Sequence, residues 1–209
     1  MGLAVLVLSG PDGSGKTTLA RLLRARCGSC GYFWLRGSHL LASLLLRLLS
    51  RFSAFQGSCN PYYGVCVPGG LRGLWVHVEF WSAVPRLLMR GLLSRLYGLL
   101  VCDRGALDLV VWVAATLRHP GFISSLYGRF LLSLASREPT VYLRADRAVL
   151  AGRGDVPEGF LAYEYALYEV LSRYFALVSI DTGRCRPAEC LALLAGRLGE
   201  VGLRGASRS

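Results

Sequence analysis

Of the 24 lysines and arginines in this chain, one is a lysine, Lys16, and it stands inside Gly10-Pro-Asp-Gly-Ser-Gly-Lys-Thr17. Every other basic position is arginine. Asn occurs once (Asn60) and Ile twice (Ile123 and Ile180), which points to a coding bias that replaces lysine wherever arginine serves. A lysine kept under that bias marks a position that needs a compact ammonium rather than a planar guanidinium. The segment reads G-x-x-x-x-G-K-[ST], the phosphate-cradling loop of nucleotide-binding proteins. Gly10, Gly13 and Gly15 let the backbone curl until successive N–H groups, that of Ser14 among them, face one anion. Lys16 would reach the β- and γ-phosphates of ATP, and the hydroxyl of Thr17, which Thr18 follows, would coordinate Mg²⁺.

That chemistry needs a strand before the loop and a helix start after it, where the N-terminal N–H groups add positive charge. Residues 3–8 are a continuous apolar run, the pattern of a buried parallel strand. After the loop, Leu19, Ala20, Leu23 and Cys27 recur at helical spacing. Further strands are expected at 32–35, 99–102, 140–143 and 177–180. Helices are expected at 40–52, 74–97 (kinked at Pro85), 107–118, 122–136 and 158–174, with a last one opened by Pro187. Residues 53–73, rich in Gly, Pro and Ser, read as a surface loop, and the tail from Gly202 as frayed. Strands alternating with helices imply an α/β fold of the P-loop type, a parallel sheet of about five strands with helices on both faces. Ligands of such sheets sit at the C-terminal strand edges. The loop at Gly10, Arg36, Asp103 and Asp181 all fall at such edges and converge on one crevice.

Composition bounds the rest. A chain of 209 residues fits one domain. Hydrophobic content is 53%, and mean hydropathy is +0.43. No membrane span is expected: the apolar stretch around 99–117 contains Asp103, Arg104 and Asp108, and 40–49 is too short. The N-terminal apolar run feeds the loop rather than a cleavage site, so the cytoplasm is expected. A net charge of +11 suits either a nucleic-acid surface or pockets for phosphates, and nucleic acid is not the expected partner. Seven cysteines include the C-x-x-C of Cys27 and Cys30, but Cys59 and Cys66 have the wrong spacing for the second pair of a zinc site. Most of the cysteines are expected to be small buried apolar residues, with a disulfide allowed.

Guanine-specific GTPases read their base with N-K-x-D. Here the one Asn precedes Pro61 and the one Lys belongs to the loop, so that motif is absent. The transporter-ATPase signature L-S-G-G-Q is absent too, since the one glutamine is Gln56. A small-molecule kinase remains. Gly10 through Thr18, Val101-Cys-Asp-Arg104, His77-Val-Glu-Phe80, the passage 143–153 and Ile180-Asp-Thr182 together resemble the thymidylate kinases, the archaeal kind above all. The resemblance spans nearly the whole chain, and its specific parts are the loop and the Asp-Arg pair. It implies a single kinase domain over 1–209 with a short lid around 144–160, using ATP and Mg²⁺ on nucleotide substrates and often dimeric. It also implies roles. Asp12 would meet a sugar hydroxyl of the acceptor, Arg36 and Arg104 its phosphate, and Phe80 its base. Asp103 would serve the Mg²⁺ shell, and Arg153 would act from the lid on the phosphoryl in transfer beside Lys16 and Arg104. The chain departs from the family at Gly105, where an aromatic is usual, and in having no arginine on the long helix before Arg86. Transfer to dTMP is the leading reading. A different nucleotide or nucleoside acceptor, and a non-catalytic ATP-binding regulator, are its alternatives.

Overall fold

The computed structural model describes residues 5–35 and 37–206, with side chains as far as residue 198. At its centre strand β1 (Val5–Ser9) runs into the glycine loop and helix α1 (Lys16–Arg26). Then follow β2 (Gly31–Trp34), α2 (Leu40–Leu49), a short strand β3 (Gln56–Asn60), the 25-residue α3 (Arg72–Leu96) and β4 (Leu100–Asp103). Next are α4 (Ala106–Thr116), α5 (Leu126–Ala135), β5 (Thr140–Arg144), α6 (Arg147–Arg153), α7 (Glu158–Phe175), β6 (Ala176–Asp181) and α8 (Pro187–Ala206). Five strands form one parallel sheet in the order β2-β4-β1-β5-β6. Because all are parallel, their C-terminal ends lie along one edge.

The strands read as unbroken apolar runs because both sheet faces are covered. Along β1, Leu6 and Leu8 join a core with Leu19, Ala20, Cys190, Leu191 and Leu194, while Val7 joins the opposite core with Leu107, Leu131 and Tyr168. The same alternation separates Val101 from Leu100 and Cys102. Thus α1 and α8 cover one face, and α3, α4, α5 and α7 the other. All of α4 is buried, which explains why its sequence is apolar all round and carries Asp108 as its one charge. Asp108 accepts the Gly105 N–H at 2.8 Å and closes the first turn of that helix.

Helix α3 is one helix with Pro85 inside it, at the loss of one backbone hydrogen bond. Helix α8 runs to Ala206; residues 207–209 lie outside the described residues. Two details differ from the sequence reading. The stretch 53–73 holds a hairpin, bridged between Gln56 or Asn60 and Val65, whose base is anchored by buried Asn60 and Val65. Most plainly, six cysteines pair, as Cys27–Cys30, Cys59–Cys66 and Cys185–Cys190, with Cys30 and Cys190 also packed in the core, leaving Cys102 buried and free. Pairing depends on which side chains meet in space, so spacing alone did not reveal it. Among the described residues no group of three or more His, Cys, Asp and Glu could hold a metal ion, and no helix is long and apolar enough to cross a membrane.

Candidate active site

The loop follows from close packing at its glycines. Gly10 has φ 150°, and a Cβ there would lie 2.3 Å from the Leu143 carbonyl oxygen. Gly13 has φ 81°, and its Cβ would come within 2.8 Å of the Leu150 carbonyl oxygen of α6. Glycine is therefore required on both counts, and the second shows α6, with Arg153 at its end, lying directly against the loop. Helix α1 begins at Lys16, so its free N–H groups point at the same place. Lys16 is buried. Its Nζ donates to the carbonyls of Gly10 (2.6 Å) and Pro11 (2.8 Å) and to Ser14 Oγ (3.3 Å). Burial, and then the charge of Arg104, lower its pKa from the usual lysine value.

Strand β4 delivers Asp103 and Arg104 to the same edge. Asp103 is fully buried. Its Oδ2 accepts from Thr17 Oγ1 at 2.5 Å and from Tyr32 Oη at 3.3 Å, while Oδ1 has no hydrogen-bond partner. A buried carboxylate oxygen left unpaired beside a threonine hydroxyl is a donor set suited to a hard divalent cation, so the residues present fit Mg²⁺. Arg104 has φ 77°, a left-handed conformation that strains a side-chain-bearing residue, and its guanidinium donates to Asp12 Oδ1 at 2.6 Å. Desolvation opposes the Arg104 charge, but Asp12, aided by Tyr168, Asp108 and Asp103, outweighs it and holds the group above its ordinary pKa. The Asp12 N–H donates to Glu164 of α7 at 3.2 Å. Burial, with the Asp12 charge next, pushes the Glu164 carboxyl up to about 7.

Two clefts flank the loop. One encloses about 160 Å³ and is lined by Asp12, Arg104, Asp108 and Glu164 together with Trp34, Tyr62, Trp112 and Tyr168. The other, about 480 Å³, is lined by Gly13, Gly15, Thr18 and Leu19 on one side and by Arg153, Thr182 and the Cys185–Cys190 pair on the other. Arg153 reaches across that second cleft to the Thr182 carbonyl at 3.3 Å.

Of the residues singled out by sequence, the loop residues 10–18, Asp103, Arg104 and Arg153 thus gather along one edge. Arg36 lies outside the described residues. Phe80 does not line the smaller cleft: its ring stacks on Tyr127 (4.3 Å between centroids) and packs edge-on against Trp81 and Phe130. Gly105 is explained by space, since a Cβ there would lie 2.5 Å from Glu138 Oε2 and 2.6 Å from Val7 Cγ1. Arg86 donates to the Trp34 carbonyl at 2.7 Å, at the end of β2. Asp108, Trp112, Glu164, Tyr168 and Tyr62 line the cavity and were missed. The first four stand one helical turn apart in pairs on α4 and α7, a spacing that could have placed each pair on one face.

The network is extensive. Asp108 also accepts from the Ser9 hydroxyl and, at 2.7 Å, from Tyr168 Oη. Trp112 Nε1 donates to Ser38 Oγ (3.0 Å), which donates to Glu79 (2.8 Å), and Glu79 also accepts from Trp75 Nε1 (3.2 Å). Burial pushes the Glu79 carboxyl up to about 7 against these hydrogen bonds.

No protein-family model and no curated protein matches the chain in sequence. Solved structures do match in shape. Thymidylate kinase from Candida albicans has a TM-score of 0.66 at 12% identity, with 95% of this chain and 92% of that one covered. The YorR protein of Bacillus subtilis, solved with phosphorylated GDP, has a TM-score of 0.57 at 18% identity, covering 96% and 98%. Shikimate kinase from Acinetobacter baumannii, solved with shikimate, has a TM-score of 0.50 at 18% identity, covering 97% and 94%. The parallel sheet, the glycine loop after its central strand and the surrounding helices are the fold that this chain shares with P-loop kinases.

Proposed function

We propose that the chain is a nucleoside monophosphate kinase that transfers the γ-phosphoryl of ATP to dTMP, giving ADP and dTDP. The observation that carries this reading is the opening of the loop on two different clefts. Gly13, Gly15 and Thr18 line the larger one and Asp12 the smaller, so a donor and an acceptor can approach one phosphoryl group from opposite sides. Aromatic walls and an arginine in the smaller cleft suit a base and a phosphate.

The reaction requires positioning and charge rather than covalent help from the protein. An oxygen of the acceptor phosphate attacks the γ-phosphorus, the bond to the β-phosphate oxygen breaks, and ADP leaves. Lys16 would exchange its three loop oxygens for phosphate oxygens. Arg104, oriented by Asp12, would hold the acceptor phosphate with its planar fork. Arg153, beside Gly13 on α6, would neutralise charge from the lid. Thr17 and Asp103 would hold Mg²⁺, which would offset phosphate charge when bound. Asp12, after yielding to a sugar hydroxyl, and Glu164 behind it would fix the acceptor's sugar. Such substrates are cytoplasmic, and three disulfides in a cytoplasmic enzyme fit the disulfide-rich intracellular proteins of hyperthermophiles. A second copy of the chain would cover the apolar side chains that α3 exposes, Leu88, Leu92 and Leu96 among them.

The test is ADP formation from Mg-ATP with dTMP, dUMP, AMP, CMP, GMP and thymidine, with Lys16→Ala as blank. Turnover with dTMP above all others is expected. ATP binding without transfer to any acceptor would overturn the reading in favour of a non-catalytic regulator.

A further inference from the structure

The smaller cleft is partly filled by the chain itself. Tyr62, at the tip of the 56–66 hairpin, stacks its ring on Trp112 (5.6 Å between centroids, 23° between planes), and its hydroxyl donates to Asp12. A flat ring on an indole and a hydroxyl on a carboxylate are together the contacts that a nucleoside offers. The volume left beside Tyr62 is about 160 Å³, below the roughly 300 Å³ at which pockets for molecules of nucleotide size begin. A nucleoside monophosphate needs the space that Tyr62 fills.

The two aromatic partners are held very differently. Trp112 is buried on α4, hydrogen-bonded to Ser38, edge-on to Phe160, and so close to Gly37 that a Cβ there would lie 2.4 Å from the indole. Tyr62 is 49% exposed, three residues past Cys59 in a tip whose turn passes through Gly64 at φ 63°. The Cys59–Cys66 disulfide and the bridges at Val65 fix the base of that hairpin, and the Tyr62 side chain stands half-exposed beyond them. One partner is a buried platform and the other a half-exposed occupant.

We infer that Trp112 is the platform for the acceptor's base and that Tyr62 is its stand-in, displaced when the acceptor binds. This rests on the acceptor reading of the cleft given above. It gives the two stacked residues opposite effects, which a shared structural role would not. Removing an occupant relieves the acceptor of displacing it, so affinity rises by the inverse of the open fraction. Removing the platform takes away the stack.

The experiment is calorimetric titration, without ATP, of dTMP, dUMP, AMP, CMP and GMP into the wild type, Tyr62→Ala, Tyr62→Phe, Trp112→Leu and Trp112→Phe, with thermal melts to establish folding. For the tightest nucleotide, Tyr62→Ala should lower Kd on the order of threefold to tenfold, with Tyr62→Phe between it and the wild type. Trp112→Leu should raise Kd roughly tenfold or more, and Trp112→Phe less. Because Tyr62 lies on an exposed tip, its variants keep the inference falsifiable even where a Trp112 variant fails to fold. Unchanged or weaker binding by Tyr62→Ala would overturn the inference and leave the acceptor reading standing. Binding of no nucleotide by any folded variant would overturn the acceptor reading, and the inference with it.

Discussion

At the residue scale, the chemistry is concentrated in a few cations whose geometry is set by neighbours. Lys16 is buried among loop oxygens within 2.6–3.3 Å, a site shaped for an ammonium. Lys16→Arg keeps the charge but not the fit, because a guanidinium is planar and longer. We expect it to lower kcat on the order of 10²- to 10³-fold, as losing one aimed donor does in comparable sites, with the melting temperature little changed. Normal turnover would remove Lys16 from its role. Arg104 is charge-paired to Asp12 inside the smaller cleft, so Arg104→Ala should raise the acceptor KM roughly ten- to a hundredfold while the KM for ATP moves little. Steady-state kinetics with each substrate varied in turn checks this, and an unchanged acceptor KM would contradict it.

At the scale of elements, helices α3 and α4 are joined by polar links that the apolar pattern conceals. Glu79 on α3 accepts from Ser38 and Trp75, and through Ser38 it steadies Trp112 on α4. Its carboxyl is pushed from 4.5 up to about 7, so it holds its proton more firmly in the folded chain than in the unfolded one. The associated stability is fully present below about 4.5 and is lost as pH rises through about 7. Glu164 acts in the same direction over the same window. Urea unfolding between pH 5 and 8 should therefore show stability falling with pH, on the order of 2 kcal/mol for each group. Glu79→Gln should remove about half of that slope, and an undiminished slope would exclude Glu79 as a source. The sheet, the loop and the Asp103-Arg104 pair were legible because each is encoded within a few consecutive residues. The structure packs Phe80 among other rings, which the sequence could not foretell, because an aromatic on an apolar helix face gives the same signal whether it meets core or ligand. Tyr62 was hidden because Gly, Pro and Ser around it read as loop, and because nothing local links it to Asp12, 50 residues away. The disulfides were hidden although their partners lie only 3, 7 and 5 residues apart, because a short spacing brings two thiols near each other without saying whether their side chains point together.

At the scale of the whole molecule, the sheet edge gathers both clefts, and each cleft has a disulfide close by: Cys59–Cys66 at the base of the Tyr62 hairpin and Cys185–Cys190 in the wall of the larger cleft. These pairs close loops separated by only 7 and 5 residues, so they shape binding loops more than they tie distant parts of the chain together. Away from the sheet edge, α3 exposes Leu74, Trp81, Leu88, Leu92 and Leu96, and α2 beside it exposes Leu41, Leu44 and Leu48. An apolar face of that extent is the kind that a partner covers. Sedimentation should find a dimer, and the double variant Leu88→Glu with Leu92→Glu should sediment as a monomer. A monomeric wild type at micromolar concentration would refute the dimer.

In the proposed reaction the loop and its two clefts move one phosphoryl group from ATP to a nucleoside monophosphate. The most direct measurement is to follow label from γ-³²P ATP in the presence of Mg²⁺ and dTMP. Label is expected in dTDP, with little in inorganic phosphate and none transferred by Lys16→Ala. Label appearing only in inorganic phosphate, or remaining in ATP with every nucleotide offered, would contradict it.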